Sequence, residues 1–233
     1  MKRMLLLIAL GCLLCMGYVG NAFCYEQYDF GDAPGYGTAT HSTGAWQRLG
    51  RLWDAESHQK AVDTSDDGVF WSLDGGHTWG HDTVKVGQSV RFRFDMYKEL
   101  WGRHNFDYLK VWIDWDQDKD FTDSGEMIYQ AAWDFTHEHG YRYGDYAAGI
   151  SKSFYATITI PEYAKLGDTW LRARVVCNES APSLNDLHPT GWYWQGEVED
   201  WKLTVTPVPE PSTMLLLGLG LTGVAWIRRR NRV

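Results

Sequence analysis

The chain contains little cysteine and lacks several motifs that mark common enzyme classes. It has four cysteines in 233 residues, and Cys12 and Cys15 lie in an apolar N-terminal stretch, so a disulfide-rich scaffold is excluded. Outside that stretch it has no Cys-x-x-Cys motif, and it has no phosphate-binding glycine loop and no Gly-x-Ser-x-Gly nucleophile motif. The signatures of thiol redox enzymes, P-loop NTPases and α/β-hydrolases are therefore missing.

The central part of the chain is also poor in positive charge. The whole sequence has 22 basic and 30 acidic residues. Without six basic residues and one acidic residue near the two termini, residues 23–206 keep 16 basic and 29 acidic residues, a net charge of −13. Such a domain repels nucleic acid and suits divalent cations, so we expect no nucleic-acid partner.

The N-terminus has the pattern of a secretory signal peptide. Lys2 and Arg3 precede an apolar stretch from Met4 to Val19, and Gly20-Asn21-Ala22 supplies small residues for cleavage. Residues 1–22 are therefore expected to be a signal peptide, and the mature part keeps Cys24 and Cys177. In an oxidising compartment these two either form one disulfide or stay free thiols.

The pattern between the termini is that of β-strands. Alternation of apolar and polar residues over Ser89–Met96 predicts a half-buried strand with Val90, Phe92 and Phe94 on one face. No segment has a convincing helical period. We expect one all-β domain over residues 23–206, an antiparallel β-sandwich of Ig-like or jelly-roll style, with a barrel as the alternative. The other predicted strands are Val69–Leu73, Thr83–Val86, Leu109–Trp115, Phe154–Ile160, Leu171–Val176 and Val198–Val205.

One acidic loop carries the strongest signal for a metal site. Carboxylates occur at every second residue from Asp114 to Asp120, and hard cations such as Ca²⁺ take six to eight oxygen ligands. The run is similar to the Asp-x-Asp-x-Asp part of an EF-hand loop, with Lys119 in place of the usual glycine and the late glutamate one position further on. A solvated acidic hairpin is the alternative. The candidate Ca²⁺ ligands are Asp114, Asp116, Asp118, Asp120 and Glu126.

A second set of acids lies at the two ends of the central domain. Neighbouring first and last strands would bring them together into a second cation site. In the alternative, the first acids belong to a turn and alternate glutamates of the last strand face solvent. The set is Asp29, Asp32, Glu197, Glu199 and Asp200.

Five short motifs of this sequence occur in the order found in the GEVED domain. They are Asp29-Phe30-Gly31-Asp32-Ala33-Pro34, Leu49-Gly50, Asp66-Asp67-Gly68-Val69, the aspartate loop, and Gly196-Glu197-Val198-Glu199-Asp200-Trp201. The resemblance implies a β-sandwich module of secreted and surface bacterial proteins, without catalysis of its own.

The C-terminus, residues 207–233, resembles a PEP-CTERM sorting signal. It has Pro209-Glu210-Pro211, an apolar run from Met214 to Ile227, and then Arg228, Arg229 and Arg230. The run gives about 21 Å of helix, which crosses a membrane only with help from flanking residues. The resemblance implies a transmembrane helix that holds the protein in the inner membrane until an exosortase-type enzyme acts, after which the protein is at the cell surface or outside the cell.

Aromatic residues are abundant, with 13 tryptophans and 13 tyrosines. Several lie in stretches that read as loops, among them Trp133 and the run Trp192, Tyr193 and Trp194, and exposed rings there could stack on sugars.

Two functions follow. The first is a non-catalytic, calcium-stabilised surface module that associates with exopolysaccharide or surface proteins, and the alternative is a secreted polysaccharide-modifying hydrolase.

Overall fold

The structure is a computed structural model that describes residues 28–42, 46–53, 66–99, 106–134 and 149–208. The expected signal peptide, Cys24 and the sorting tail from Pro209 onward lie outside these residues. Among the described residues, no helix is long and apolar enough to cross a membrane. The C-terminal transmembrane helix therefore stays a prediction.

The described residues form an all-β fold, as the alternation in the sequence predicts. Their one helical element is a single 3-10 turn at Leu184–Asp186. The strands are β1 Asp29–Phe30, β2 Ala39–His41, β3 Gln47–Leu49, β4 Val69–Ser72, β5 Val84–Lys85, β6 Ser89–Lys98, β7 Phe106–Ile113, β8 Met127–Asp134, β9 Ile150–Thr159, β10 Gly167–Cys177, β11 Gly191–Tyr193 and β12 Glu197–Thr206.

Two main sheets form a sandwich. The first has five strands in the order β5-β12-β10-β7-β8. The second is built around β6, which pairs with β9 along one edge and with the short strands β3 and β4 in turn along the other. The pairing is antiparallel except for β5 with β12 and β2 with β11. Both exceptions join strands far apart in sequence, where no hairpin fixes the direction.

The core lies between the two sheets. Burial alternates along β6, and Val90, Phe92, Phe94 and Met96 all point inward, as the period of two predicts. They pack in one cluster with inward residues of β7 and β10, such as Leu171. Each such side chain contributes about 1.5–3 kcal/mol when it leaves water.

A third layer covers the outer face of the five-stranded sheet. The short strands β1, β2 and β11 form a small sheet, and a second apolar cluster beneath the adjoining loops includes Tyr36, Trp112 and Phe121. Strand β10 is therefore buried on both faces, including Arg172 and Arg174, which are fully buried.

The structure differs from the sequence prediction at β8. This strand lies at the edge of its sheet and shows no clear alternation, so its pattern did not identify it. Trp133, which the sequence placed in a loop, is fully buried in β8 and packs against Phe154, with ring centroids 6.2 Å apart. It is a core residue, so it is not available to stack on a sugar.

Candidate metal centre

The aspartate loop follows β7 and brings three carboxylates together. Oxygen atoms of Asp114, Asp116 and Asp118 lie within 4.8 Å of one another, one oxygen from each side chain. The turn that begins after Ile113, with left-handed residues at Gln117 and Lys119, brings these side chains together. Three converging carboxylate oxygens are a partial ligand set for a hard divalent cation.

Asp114 organises the loop from within. It is fully buried, and its Oδ1 accepts a hydrogen bond from the Gln117 N–H at 2.6 Å. Its Oδ2 accepts one from the Lys119 N–H at 3.1 Å and one from the Tyr36 hydroxyl at 2.7 Å. Burial, followed by this bond to Asp114, raises the pKa of Tyr36. The hydroxyl therefore stays protonated and ties the third layer to the loop.

Lys119 forms the sharp turn that usually requires glycine. Its φ is 75°, in the left-handed region, and Gln117 is there too with φ 58°. The Lys119 side chain lies over Gly35, where an added Cβ would meet the lysine Cδ at 3.3 Å. The loop therefore reaches its curved shape without the glycine, at a backbone cost of about 1 kcal/mol for each such residue.

The other two predicted ligands lie outside the group of three. The Asp120 Oδ1 accepts hydrogen bonds from the N–H and hydroxyl of Thr122. Glu126 is buried, and its two oxygens accept hydrogen bonds from the N–H groups of Trp115 and Asp123, each at 3.1 Å. Burial raises the pKa of Glu126 to about 7. Glu126 thus closes the base of the loop.

Asp116 is the least satisfied of the three converging carboxylates. Its Oδ1 is shielded from solvent and has no hydrogen-bond partner among the described residues. Lys165 Nζ is 4.0 Å from its Oδ2. Partial burial and then the charge of Asp118 raise the pKa of Asp116. A bound cation would relieve this repulsion.

The second set of acids is brought together at one edge of β12. Glu197 and Glu199 are 2% and 0% exposed, so the alternative in which they face solvent is wrong. Both point to the inner side of their sheet, toward β3 and β4. Asp29, Asp32 and Asp200 are also buried, and the five predicted residues lie in one region, since their charges act on Asp66 or on Glu197.

Several of these acids accept hydrogen bonds from backbone N–H groups of the other motifs. We call the acids and the backbone groups that they bind the carboxylate network. Strand β5 pairs with β12 only at Val205 and Thr206, so the edge N–H groups nearer the start of β12 need other acceptors. The network supplies them and also binds the β3–β4 region. The bonds run from Val198 N to Asp29 (2.6 Å), Asp200 N to Asp66 (3.2 Å), Leu49 N to Glu197 (2.5 Å), Asp67 N and Gly68 N to Glu199 (2.9 and 2.8 Å), and Ala33 N to Asp200 (2.8 Å).

Two buried arginines complete this region. Arg172 forms a bidentate pair with Asp200, with nitrogen to oxygen distances of 2.7 and 2.6 Å. Arg174 donates to the carbonyls of His188 and Gly191 and contacts the His41 ring. The sequence prediction missed both, because charged residues at alternate positions of an otherwise apolar strand normally indicate a face that is exposed to solvent.

The network holds more negative charge than its partners neutralise. Burial and neighbouring carboxylates raise the pKa values of Glu197 and Asp66 well above their usual range. Burial raises the pKa of Glu199 to about 7. Asp66, which the sequence prediction left out of the set, therefore belongs to the network. A second cation site here stays a prediction.

Two exposed tryptophans flank a partly buried tyrosine at the end of β11, since Trp192 lies in the strand and Trp194 directly after it. Trp192 and Trp194 are 59% and 50% exposed, and the Trp192 Nε1 donates to the Ser42 hydroxyl at 2.7 Å. Tyr193 turns inward beneath Arg174, with the guanidinium carbon 4.7 Å from the ring centroid. Of the three predicted stacking residues, two present their rings to solvent.

Cys177 lies at the buried end of β10. Its Sγ is 3.3 Å from the Gln195 side-chain oxygen, and burial raises the pKa of its thiol. It forms no disulfide with any described residue. Because Cys24 lies outside those residues, their pairing stays a prediction.

Comparison with known families supports the reading of both motif sets. A GEVED domain model matches residues 108–204, and a PEP-CTERM protein-sorting motif matches residues 207–230. The earlier motifs, Asp29–Pro34 and Asp66–Val69, precede the GEVED match, and the carboxylate network ties them to it.

Searches of solved structures and curated proteins add limited information. The chain is similar to the C-terminal domain of Wzt, with 13% identity, 62% of this chain and 73% of that chain covered, and a TM-score of 0.34. It is also similar to the CARDB domain of a Pyrococcus furiosus protein solved in complex with di-metal ions, with 12% identity, 60% and 86% covered, and a TM-score of 0.29. None of the curated proteins matches it. The chain thus carries a GEVED domain followed directly by a PEP-CTERM sorting motif.

Proposed function

We propose that this protein is an exported, non-catalytic module of the cell surface or extracellular matrix. An exosortase-type enzyme recognises its tail, Ca²⁺ stabilises its aspartate loop, and exposed tryptophans associate with exopolysaccharide. Before processing, the C-terminal helix holds the protein in the inner membrane.

The order of the chain carries the proposal for sorting. A β-sandwich ends at Thr206, and the sorting motif begins at the next residue. This order suits a folded domain whose C-terminal signal is recognised by an enzyme in the membrane. The four arginines after the apolar run favour a cytoplasmic C-terminus, which leaves the sandwich on the outer side.

The converging carboxylates support the proposal for calcium. Asp114, Asp116 and Asp118 supply oxygen ligands, and the turn at Lys119 gives the loop the curvature that such a site needs. Oxygen ligands without nitrogen or sulfur favour Ca²⁺ or Mg²⁺ over transition metals, and a curved exposed loop favours the larger and less demanding Ca²⁺.

The face of β11 supports the proposal for a glycan partner. Trp192 lies in β11 and Trp194 directly after it, and both side chains are at least half exposed. The bond from Trp192 to Ser42 limits the motion of one ring. Two exposed flat rings can stack on sugar units without requiring charge, which suits a domain whose net charge is strongly negative.

Localisation of a tail variant tests the sorting part. In the host, Pro209→Ala with Glu210→Ala and Pro211→Ala is expected to keep most of the protein in the membrane fraction at its unprocessed mass. The matched control is Ser212→Ala with Thr213→Ala, which should reach the surface like the native chain. Equal surface amounts of both variants would show that the motif does not direct sorting.

A further inference from the structure

A polar cleft opens on the outer face of the second sheet, where β3 ends and β4 begins. Both strands pair with the same edge of β6, and Asp95 lies at the junction. Its carbonyl accepts from Gly50 N at 2.7 Å, and its N–H donates to the Gly68 carbonyl at 2.8 Å. The cleft has a volume of about 300 Å³ and is partly open to solvent, which is the lower end of the size range of small-molecule sites.

One wall is fixed by a glycine in the left-handed region. Gly50 has φ 60°, and a Cβ there would lie 1.8 Å from Asp67 Oδ1. The absence of that Cβ lets the Asp67 carboxylate accept hydrogen bonds from the N–H groups of Arg51 and Leu52, at 2.9 and 3.2 Å. The carboxylate is therefore held in place at the cleft.

The other wall is held by contacts between β6, β4 and β9. The Asp95 Oδ1 accepts from the Ser153 hydroxyl at 2.6 Å, and the Asp95 Oδ2 is 3.2 Å from Arg93 Nε. The Arg93 guanidinium lies over the Phe70 ring, 4.4 Å from its centroid. Groups fixed in this way lose little conformational entropy when a ligand binds.

The charges that line the cleft balance. Arg51 and Arg93 face Asp67 and Asp95, so a charged ligand meets a like charge whichever its sign. Within the described parts of the chain, the Arg51 guanidinium forms no hydrogen bond or ion pair, and the exposed Ser151 hydroxyl adds both a donor and an acceptor. A neutral ligand rich in hydroxyl groups uses guanidinium donors and carboxylate acceptors together.

We propose that this cleft binds one neutral sugar residue of a glycan. The inference rests on the proposed function in that a glycan is the expected partner of the exported module. It names a different site, on a different sheet from Trp192 and Trp194. Its hydrogen-bonding walls select by hydroxyl pattern, whereas the two tryptophans offer flat rings.

Titration with simple sugars tests the inference directly. The full chain, purified in a detergent without a sugar headgroup, is titrated by NMR with glucose, galactose, mannose and N-acetylglucosamine, and with glucuronate and glucosamine as charged probes. We expect at least one neutral sugar to bind with a Kd below about 50 mM, and the matching charged sugars to bind at least tenfold more weakly.

Four variants locate the binding. Arg51→Ala should weaken it about tenfold, because a hydrogen bond to a charged group is lost, and Ser151→Ala should weaken it a few-fold. Both residues are exposed, so the fold should survive. Arg91→Ala is the matched control, since this arginine lies on the same face of β6 outside the cleft, and Trp192→Ala should also have no effect.

Three results would overturn the inference. They are the absence of binding by any neutral sugar at this concentration, equal binding of charged sugars, and binding that survives Arg51→Ala and Ser151→Ala. Loss of binding with Trp192→Ala alone would place the sugar at β11 and so would also overturn the inference for the cleft. The proposed association with a glycan would then remain. A failure of surface sorting leaves these measurements unaffected, so the two proposals fail separately.

Discussion

The two acidic regions of this domain use similar side chains in opposite ways. In the carboxylate network the acids are buried and accept hydrogen bonds from backbone N–H groups, and Asp200 also pairs with Arg172. In the aspartate loop, Asp116 and Asp118 lie at the surface, with one oxygen of Asp116 unpaired among the described residues. Carboxylates that accept hydrogen bonds from distant backbone N–H groups crosslink the chain, whereas Asp116, with one unpaired oxygen beside two other carboxylates, favours a cation.

This difference gives the motif acids two tasks. The network connects segments more than 130 residues apart in sequence, such as Gly68 and Glu199, and it closes the edge of β12. The loop projects from the end of β7 and rests on Asp114. We therefore expect mutations in the network to affect folding and mutations in the loop to affect cation binding.

The largest expected effect comes from breaking the network at its arginine. Arg172→Met leaves the Asp200 carboxylate buried without its cation and should lower the free energy of unfolding by about 3–5 kcal/mol. The control is Lys202→Ala on neighbouring β12, whose pair with Asp168 at 2.6 Å is more than half exposed and contributes about 0–1 kcal/mol. Urea denaturation measures both, and equal losses would show that burial does not distinguish the two pairs.

The next effect is a pH dependence that originates in the network. The pKa of Glu199 is about 7 in the folded protein and near 4.5 when unfolded, so the folded state binds more protons between these values. Its stabilising contribution is complete below pH 4.5 and is lost as the pH rises through 7. With a chelator present, the titration of Glu199 alone should lower the stability by on the order of 3 kcal/mol from pH 4.5 to 7.5, or roughly 5–10 °C in Tm. Glu197, Asp66 and Glu126, whose pKa values are also raised, act in the same direction.

Two variants assign that pH dependence to the network. Glu199→Gln should make the fall with pH smaller, because this side chain no longer titrates while Glu197, Asp66 and Glu126 still do. Glu162→Gln, at an exposed position, should leave it unchanged. Thermal melts across the pH range measure this, and a native curve that rises from pH 4.5 to 7.5 has the wrong sign for our account.

A smaller effect is expected from relieving the turn in the loop. Lys119→Gly removes a side chain from the left-handed region and should stabilise the protein by about 0.5–1 kcal/mol. It also removes a positive charge near the carboxylates, so Ca²⁺ affinity should rise a few-fold. Gln117→Gly is the control, since it relieves the same backbone strain without changing charge, and it also removes the exposed hydrogen bond from Gln117 Nε2 to the Lys165 carbonyl. Equal Ca²⁺ affinities for the two glycine variants would contradict the role of charge.

The sequence predicted those features that depend on local pattern. The alternation of Val90, Phe92 and Phe94 predicts both β6 and its inward face, because a two-sheet core requires a period of two. The spacing of Asp114, Asp116 and Asp118 predicts that their oxygens converge, because the residues are close in sequence and share one turn.

Features that depend on contacts between distant segments could not be predicted in this way. Glu197 and Glu199 read as solvent-facing in one interpretation because alternation alone does not show which faces are covered. Arg172 and Asp66 join the network only when β10, β12 and the β3–β4 region meet in space. The cleft likewise requires a junction between strands from three separate parts of the chain.

Calorimetric titration of the full chain with Ca²⁺ at pH 7.5 tests the central claim that the loop binds the cation. We predict binding with a Kd of about 10⁻⁴–10⁻³ M, lost in Asp116→Asn with Asp118→Asn and kept in Asp120→Asn, whose carboxylate is turned to Thr122. Binding that is absent in the native chain, or equal in the native chain and the double variant, would contradict the account.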